Sequence, residues 1–60
     1  RMDGIAYVGR MLGQVLVMAK IFDDAYRVLD QSAAAFKKLR QPRQAEEIRN
    51  LQKQVKEQMS

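Results

Sequence analysis

The sequence predicts an all-α fold: an antiparallel helical hairpin followed by a third, amphipathic capping helix. Apolar residues recur at three- and four-residue steps in three separate stretches, which is the pattern of helices with one buried face. A break at Arg40-Gln41-Pro42 separates the last two stretches, because proline cannot continue a preceding helix. The chain has 60 residues and neither cysteine nor histidine, so disulfides and the usual zinc sites are excluded. We therefore expect residues 1–60 to form one helical unit, with helices over about 3–20, 23–39 and 43–59.

The first helix is predicted to begin at Asp3, a residue type that caps helix N-termini well. The residues expected to face the core are Ile5, Val8, Leu12, Val15, Leu16 and Ala19. Gly13 lies within this stretch, and glycine in a helix interior costs about 1 kcal/mol relative to alanine. We therefore expect another backbone to approach closely at Gly13, with Ala25 as the small residue opposite it. The side chains expected to meet a second copy or a missing repeat are Ile5, Met11, Val17 and Met18.

The second helix should follow a corner at Ile21-Phe22. Asp23-Asp24 at its start and Lys37-Lys38 near its end suit the helix dipole. Its predicted buried stripe contains Ala25, Val28, Leu29, Ser32, Ala33, Phe36 and Leu39. The small residues Ser32 and Ala33 in the middle of this stripe would let a neighbouring helix come close.

The third helix is predicted to have Pro42 in its first turn, where a missing amide hydrogen costs little. Its apolar stripe is narrow and consists of Ala45, Ile48, Leu51, Val55 and Met59. The remaining positions are almost all charged or amide side chains. One side can be buried and the rest must face water, so this helix should act as a cap.

The segments Leu12-Gly13-x-x-Leu16 and Ala25-x-x-x-Leu29, with Ala25 nine residues after Leu16, resemble the tetratricopeptide repeat. Leu39-Arg40-Gln41-Pro42-Arg43 is similar to the turn of longer repeats in that family, whose second helix is extended. The sequence departs from the family pattern at Gly9, where a large aromatic is usual, and at Lys20, where the corner glycine is usual. The resemblance implies one elongated repeat over about residues 5–41, followed by the capping helix.

The resemblance also implies that the first helix lines a concave binding groove, on the face opposite its contact with the second helix. The residues placed there are Tyr7, Arg10, Gln14, Val17 and Met18. Arg10, with Gln14 one turn away, could hold a carboxylate through charge-assisted hydrogen bonds. The alternative is a solvated polar strip, which a single visible repeat favours because such clamps draw on several repeats.

Catalysis has few candidate groups in this sequence. A nucleophile would need Ser32 or Ser60, and Ser32 lies on the predicted buried stripe. The paired carboxylates Asp23-Asp24 and Glu46-Glu47 are each expected in a first helical turn, where acidic residues are common for electrostatic reasons. We therefore predict no enzyme activity, no metal site and no cofactor.

The predicted function is a non-catalytic protein–protein interaction module, either a terminal part of a tetratricopeptide-type array or a self-associating unit. Its partner would be a protein or peptide, a further copy of the chain, or adjoining repeats of a longer chain. One alternative is a three-helix peptide-binding domain like the microtubule-interacting-and-transport domain, whose second helix resembles Asp23–Leu29.

The net charge of +4 leaves open a second alternative, a basic three-helix nucleic-acid-binding module. Acidic residues interspersed along the third helix argue against nucleic acid as the partner. No run of about 20 apolar residues is present, so no membrane association is expected. The absence of cysteine and of a signal-peptide pattern suggests a cytoplasmic location.

Overall fold

The computed structural model describes residues 2–59, which form three α-helices: α1 (Met2–Met18), α2 (Phe22–Lys38) and α3 (Pro42–Met59). α2 lies in the middle and packs against α1 on one side and α3 on the other. The all-α fold class is confirmed. The first two helices end slightly earlier than predicted, because the chain turns out of the helix through a left-handed residue after each.

The two connections between helices have the same geometry. Lys20 and Arg40 both have positive φ angles, of 62° and 60°. The amide of Ile21 donates to the carbonyl of Leu16 at 2.9 Å, and the corresponding bond after Arg40 has the same length. A bond reaching five residues back across a left-handed residue is the Schellman motif. Consecutive helices therefore begin 20 residues apart, at residues 2, 22 and 42, and form two similar hairpins.

The helix starts follow the sequence prediction in part. Pro42 is the first residue of α3, as predicted. Asp23-Asp24 lie in the first turn of α2 and Lys37-Lys38 in its last turn, which is also as predicted. Asp3, in contrast, lies inside the first turn of α1 and is not its cap. Glu46-Glu47 lie beyond the first turn of α3, which has no acidic residue, so the helix dipole does not explain this pair.

The core is centred on α2. The buried apolar residues are Ala6, Ala25, Leu29, Ala33, Ala35, Phe36, Ile48 and Val55. Phe36 and Leu29 are the largest side chains fully removed from solvent. The predicted stripe of α2 is confirmed, except that Val28 and Leu39 are only half-buried. Ala35 is buried although the sequence pattern did not select it.

The prediction for the buried face of α1 is wrong. Among the α1 residues whose burial the structure describes, those that are buried or half-buried are Ala6, Gly9, Arg10, Gly13, Leu16 and Val17. Most of the predicted stripe is exposed, namely Ile5, Val8, Leu12, Val15 and Ala19. The physical reason is that α1 turns its smallest residues toward α2, so that the two helices come close together and the larger apolar side chains point outward.

Gly13 packs closely against α2, but its neighbour is a side chain and not the backbone that was predicted. A Cβ atom built on Gly13 would lie 2.7 Å from Cγ of Leu29, a distance that real Cβ contacts do not show. On Gly9 it would lie 3.0 Å from Cβ of Ser32. The atoms nearest to Gly13 belong to Leu29 and not to Ala25, which differs from the prediction by one helical turn. Gly4 has no neighbour within 4 Å of such an atom.

The contact between α2 and α3 is made by larger side chains. Ile48 and Val55 are buried against α2, as predicted, and Leu51 is half-buried. Met59, the last residue of the predicted stripe, is exposed. The structure also buries Gln52, which the sequence pattern placed among the residues that face water.

Candidate functional site

The most unusual surface of the molecule is the side of α1 that points away from α2. We call it the outer face of α1 and define it by six apolar side chains: Ile5, Val8, Met11, Leu12, Val15 and Met18. They are exposed by 45% at Leu12 to 82% at Met18. No charged or polar side chain lies among them on this side of the helix. A contiguous apolar patch with this little cover is a feature of interaction sites.

A shallow groove runs beside the outer face, between α1 and α2. Its volume is about 420 Å³. Its lining comprises Gly4, Ile5, Val8, Gly9, Leu12, Val28 and Gln31. Gly4 and Gly9 contribute no side chain to this lining. The surface therefore offers both projecting apolar side chains and a recess that could receive a partner's side chain.

Two of the predicted groove residues, Tyr7 and Arg10, do not lie opposite the α2 contact. The ring of Tyr7 meets the ring of Phe36 edge to face, with 5.1 Å between centroids. The Arg10 guanidinium carbon lies 5.6 Å from the Tyr7 ring centroid and 5.8 Å from that of Phe36. Cation–π contacts of this kind contribute about 0.5–1 kcal/mol at exposed sites. Tyr7 and Arg10 are thus part of the α1–α2 contact, because α1 is rotated relative to the prediction.

The other three predicted binding residues are also divided between environments. Val17 is half-buried and packs against the core, whereas Gln14 and Met18 are exposed. The structure therefore places these five residues in different environments, and their role in binding stays a prediction. Met18 is shared with the outer face of α1. A carboxylate contact by Arg10 and Gln14 stays a prediction.

A cluster of polar side chains links α2 to α3. Arg49 donates to Asp30 at 2.6 Å and to the side-chain oxygen of Gln52 at 2.7 Å. The Gln52 amide nitrogen donates to Asp30 at 3.3 Å and to the backbone carbonyl of Tyr26 at 3.4 Å. Gln52 is only 4% exposed, so these bonds compensate for its burial. The cluster is a structural link between two helices.

The hydrogen bond from Arg49 lowers the pKa of Asp30 below its ordinary value, and the bond from Gln52 lowers it further. Partial burial acts in the opposite direction and is the smaller effect. Both charged side chains remain about half exposed to solvent. An ion pair this exposed contributes little to stability. The sequence signal that could have found Gln52 is its position, four residues after Ile48 and three before Val55 on the buried stripe.

Ser32, the candidate nucleophile within the described residues, is fully buried, as predicted. Its hydroxyl donates to the backbone carbonyl of Ala6 at 2.7 Å and so links α2 to α1. Ser60, the other candidate, lies outside the described residues. Across residues 2–59, no three histidine, cysteine, aspartate or glutamate side chains come together as a metal site would require.

Two of the basic side chains are paired with carboxylates. Arg27 is paired with Asp24 and Arg49 with Asp30. These pairs reduce the positive potential that a nucleic-acid backbone would meet. Within the part of the chain that the structure describes, no helix has the length and apolar content needed to cross a membrane.

No protein-family model matches this chain, and no match was found among curated proteins or solved structures. The resemblance to the tetratricopeptide repeat therefore depends on the residues quoted above and stays a prediction. The same holds for the microtubule-interacting-and-transport and nucleic-acid alternatives. Any functional proposal must come from the surface of the molecule itself.

Proposed function

We propose that this chain is a non-catalytic protein–protein interaction module and that its binding surface is the outer face of α1. The observation that carries the proposal is the exposure of six large apolar side chains on one helix face, with no polar residue among them. Removing apolar surface from water contributes about 25 cal/mol per Å². A partner that covers this face gains that contribution without having to desolvate a charge.

The spacing of the outer face indicates what kind of partner fits. Ile5, Val8, Leu12 and Val15 follow one another at steps of three, four and three residues. This is the spacing at which one helix packs its side chains between those of another. We therefore propose a helical partner with an apolar stripe of the same spacing.

The repeated hairpin supports a finer version of the proposal. Two turns of the same geometry, at Lys20 and Arg40, place three helices at a constant interval along the chain. Helical-repeat proteins are built in this way, each unit leaving an apolar face that a neighbour covers. A tetratricopeptide-like repeat is consistent with this arrangement. For its location we propose the cytosol, from the absence of cysteine.

A selection experiment tests the proposal. A library of displayed helical peptides is selected on the immobilised chain and then compared on two variants. Val8→Glu places a charge in the centre of the outer face, and Asn50→Glu places the same charge on an exposed position of α3. We expect enriched peptides with apolar residues at three- and four-residue steps. They should bind Val8→Glu at least about tenfold more weakly, and Asn50→Glu as well as the parent chain.

Two results of this experiment would contradict the proposed binding surface. If no peptide is enriched, or if enriched peptides bind Val8→Glu as tightly as the parent, the outer face is not the binding surface. Retention of duplex DNA at about 0.15 M salt, undiminished by Val8→Glu, would instead favour the basic nucleic-acid-binding alternative.

A further inference from the structure

We infer a second binding site, separate from the outer face of α1, for a small carboxylic acid with an apolar body. The site is a pocket of about 250 Å³ at the end of the molecule where α1 turns into α2. The second half of α3 lies beside this turn, because α3 runs antiparallel to α2, so all three helices contribute to the lining. None of the lining residues belongs to the outer face of α1.

The inner lining of the pocket is apolar and reaches the core. Val55 is 1% exposed and belongs to the buried core. Val17, Phe22 and Leu51 also line the pocket and pack against that core. An apolar cavity of about 150 Å³ is large enough to bind benzene. This pocket therefore has room for an aromatic ring with a short chain attached, and the Phe22 ring offers that ligand an aromatic contact.

The polar residues of the lining lie at the opening of the pocket. Lys20, Gln54 and Gln58 are exposed, whereas the apolar lining residues are buried or half-buried. Gln54 and Gln58 are four residues apart on α3, so their side chains lie on the same side of that helix. Lys20 is the single charged residue of the lining, which contains no carboxylate. One ammonium and two amides can donate hydrogen bonds to an anion held at the opening.

The charge of the opening selects the kind of acid. One cation balances one carboxylate, whereas a phosphate ester would bring further negative charge that no lining residue neutralises. The carboxyl end of a peptide would add a backbone N–H beside the carboxylate. When Gln54 and Gln58 donate to the carboxylate, their oxygens point away from it, and that N–H has no side-chain acceptor. The expected ligand is therefore a free monocarboxylic acid with an aryl or short alkyl body.

The two left-handed turns provide a matched pair of variants for this site. Lys20 and Arg40 occupy equivalent positions, with φ angles of 62° and 60°, but Arg40 does not line the pocket. Glycine adopts a positive φ without steric cost. Lys20→Gly and Arg40→Gly therefore each remove one positive charge and preserve the turn. A general effect of net charge would change both variants alike, whereas loss of the ammonium at the opening occurs in Lys20→Gly alone.

Nuclear magnetic resonance titration of the backbone amides of the full chain with hydrocinnamate, at neutral pH, tests the site. We expect saturable shifts concentrated around Val17, Phe22 and Leu51, with a Kd on the order of 1 mM for a ligand of this size. Hydrocinnamide, the uncharged analogue, should bind about fivefold more weakly, because an exposed charge pair contributes little. Lys20→Gly should bind acid and amide equally, and Arg40→Gly should keep the preference for the acid.

A second pair of variants changes the charge on α3. Gln54→Glu places a carboxylate at the opening and should weaken hydrocinnamate binding about fivefold or more by repulsion. Asn50→Glu makes the same change one turn earlier, at an exposed position outside the lining, and should bind as the parent chain does. Circular dichroism checks that both variants keep the fold. N-acetylphenylalanine, which adds the amide of a peptide end to hydrocinnamate, should bind more weakly than hydrocinnamate.

Four results would overturn the inference. Shifts that do not saturate up to about 20 mM, or that lie at the outer face of α1, would show that the pocket does not bind the acid. Equal binding of acid and amide by the parent chain would remove Lys20 from the site, and so would equal losses in Lys20→Gly and Arg40→Gly. Tighter binding of N-acetylphenylalanine would assign the pocket to the end of a peptide. These results leave the proposed function untouched, because Val8→Glu and the peptide selection test a different surface.

Discussion

The two sides of α2 are packed in different ways. Toward α1 the contact is made where side chains are missing, at Gly9 and Gly13, and the helices approach until Leu29 and Ser32 fill the space. Toward α3 the contact is made by larger side chains and includes a buried amide, Gln52, with its hydrogen bonds. We therefore expect the two contacts to respond in opposite ways to changes in side-chain size. The first contact should be damaged by adding atoms and the second by removing them.

The largest expected effect comes from adding atoms to the first contact. Gly13→Leu should lower the free energy of unfolding by more than about 2 kcal/mol, because the new side chain overlaps Leu29 and forces α1 and α2 apart. Urea denaturation followed by circular dichroism, at one fixed protein concentration, measures the change.

Two smaller substitutions keep this prediction testable if Gly13→Leu does not fold. Gly13→Ala should still destabilise, although alanine is the better helix former. Gly4→Ala, where no neighbour lies within 4 Å, should stabilise by up to about 1 kcal/mol. Equal effects of alanine at both positions would show that the close approach does not determine stability.

Removing atoms from the second contact comes next in size. Gln52→Ala should lower the free energy of unfolding by about 1–2 kcal/mol, because it deletes a buried side chain and its bonds to Asp30 and Arg49. Gln54→Ala, at an exposed position of the same helix, is the control and should change stability by less than about 0.5 kcal/mol. Thermal and urea melts of the pair decide the point. Indistinguishable melts would mean that the buried amide is not stabilising.

A polar bond within the first contact should matter less. Ser32→Ala removes the hydrogen bond to the Ala6 carbonyl but keeps the small size that the contact requires. We expect a loss of about 1 kcal/mol, the usual value for one intramolecular hydrogen bond. Ser32→Val, which adds atoms beside Gly9, should cost more than Ser32→Ala if the contact is limited by space. The reverse order in urea melts would show that the hydrogen bond dominates.

The smallest expected effect is a pH dependence of the second contact. The pKa of Asp30 is lowered in the folded chain, so its ion pair with Arg49 stabilises above the ordinary carboxyl pKa near 3.8. This contribution is lost as the pH falls through the lowered value. It should not exceed about 1 kcal/mol, because both side chains are about half exposed. Asp30→Asn should make the acid limb of the stability–pH curve shallower, and an unchanged limb would contradict the assignment.

The sequence was sufficient to predict the fold class, the three helices and a tight contact at Gly13, but not that the Leu29 side chain makes this contact. These features depend on local signals: apolar periodicity, a proline, and a glycine inside a helix. The buried face of α1 could not be predicted in the same way. The helix has two stripes at similar spacing, one of large apolar residues and one of small residues. Hydrophobicity selects the first, whereas close packing against Leu29 and Ser32 requires the second.

The candidate site was predicted even less completely, for the same reason. Once α1 is rotated, Tyr7 and Arg10 move to the α2 contact and Val8 and Val15 move to the surface. The broad apolar character of α1 led us to expect a neighbour beyond α2. The residues predicted to contact that neighbour included Val17, which is half-buried. The packing of α1 against α2 therefore determined which α1 residues are exposed, and the apolar pattern alone did not reveal it.

The two left-handed turns have a consequence for how such a chain can lengthen. Each turn reverses the chain and places the following helix beside the one before it, and Lys20 and Arg40 do this with the same dihedral angle to within a few degrees. The same left-handed turn could also follow α3. We expect that a further segment of about twenty residues, joined through one more left-handed residue, would add a helix alongside α3 and leave both existing hairpins undisturbed. The chain would then lengthen by whole helices, and each new helix would pack only against the helix before it.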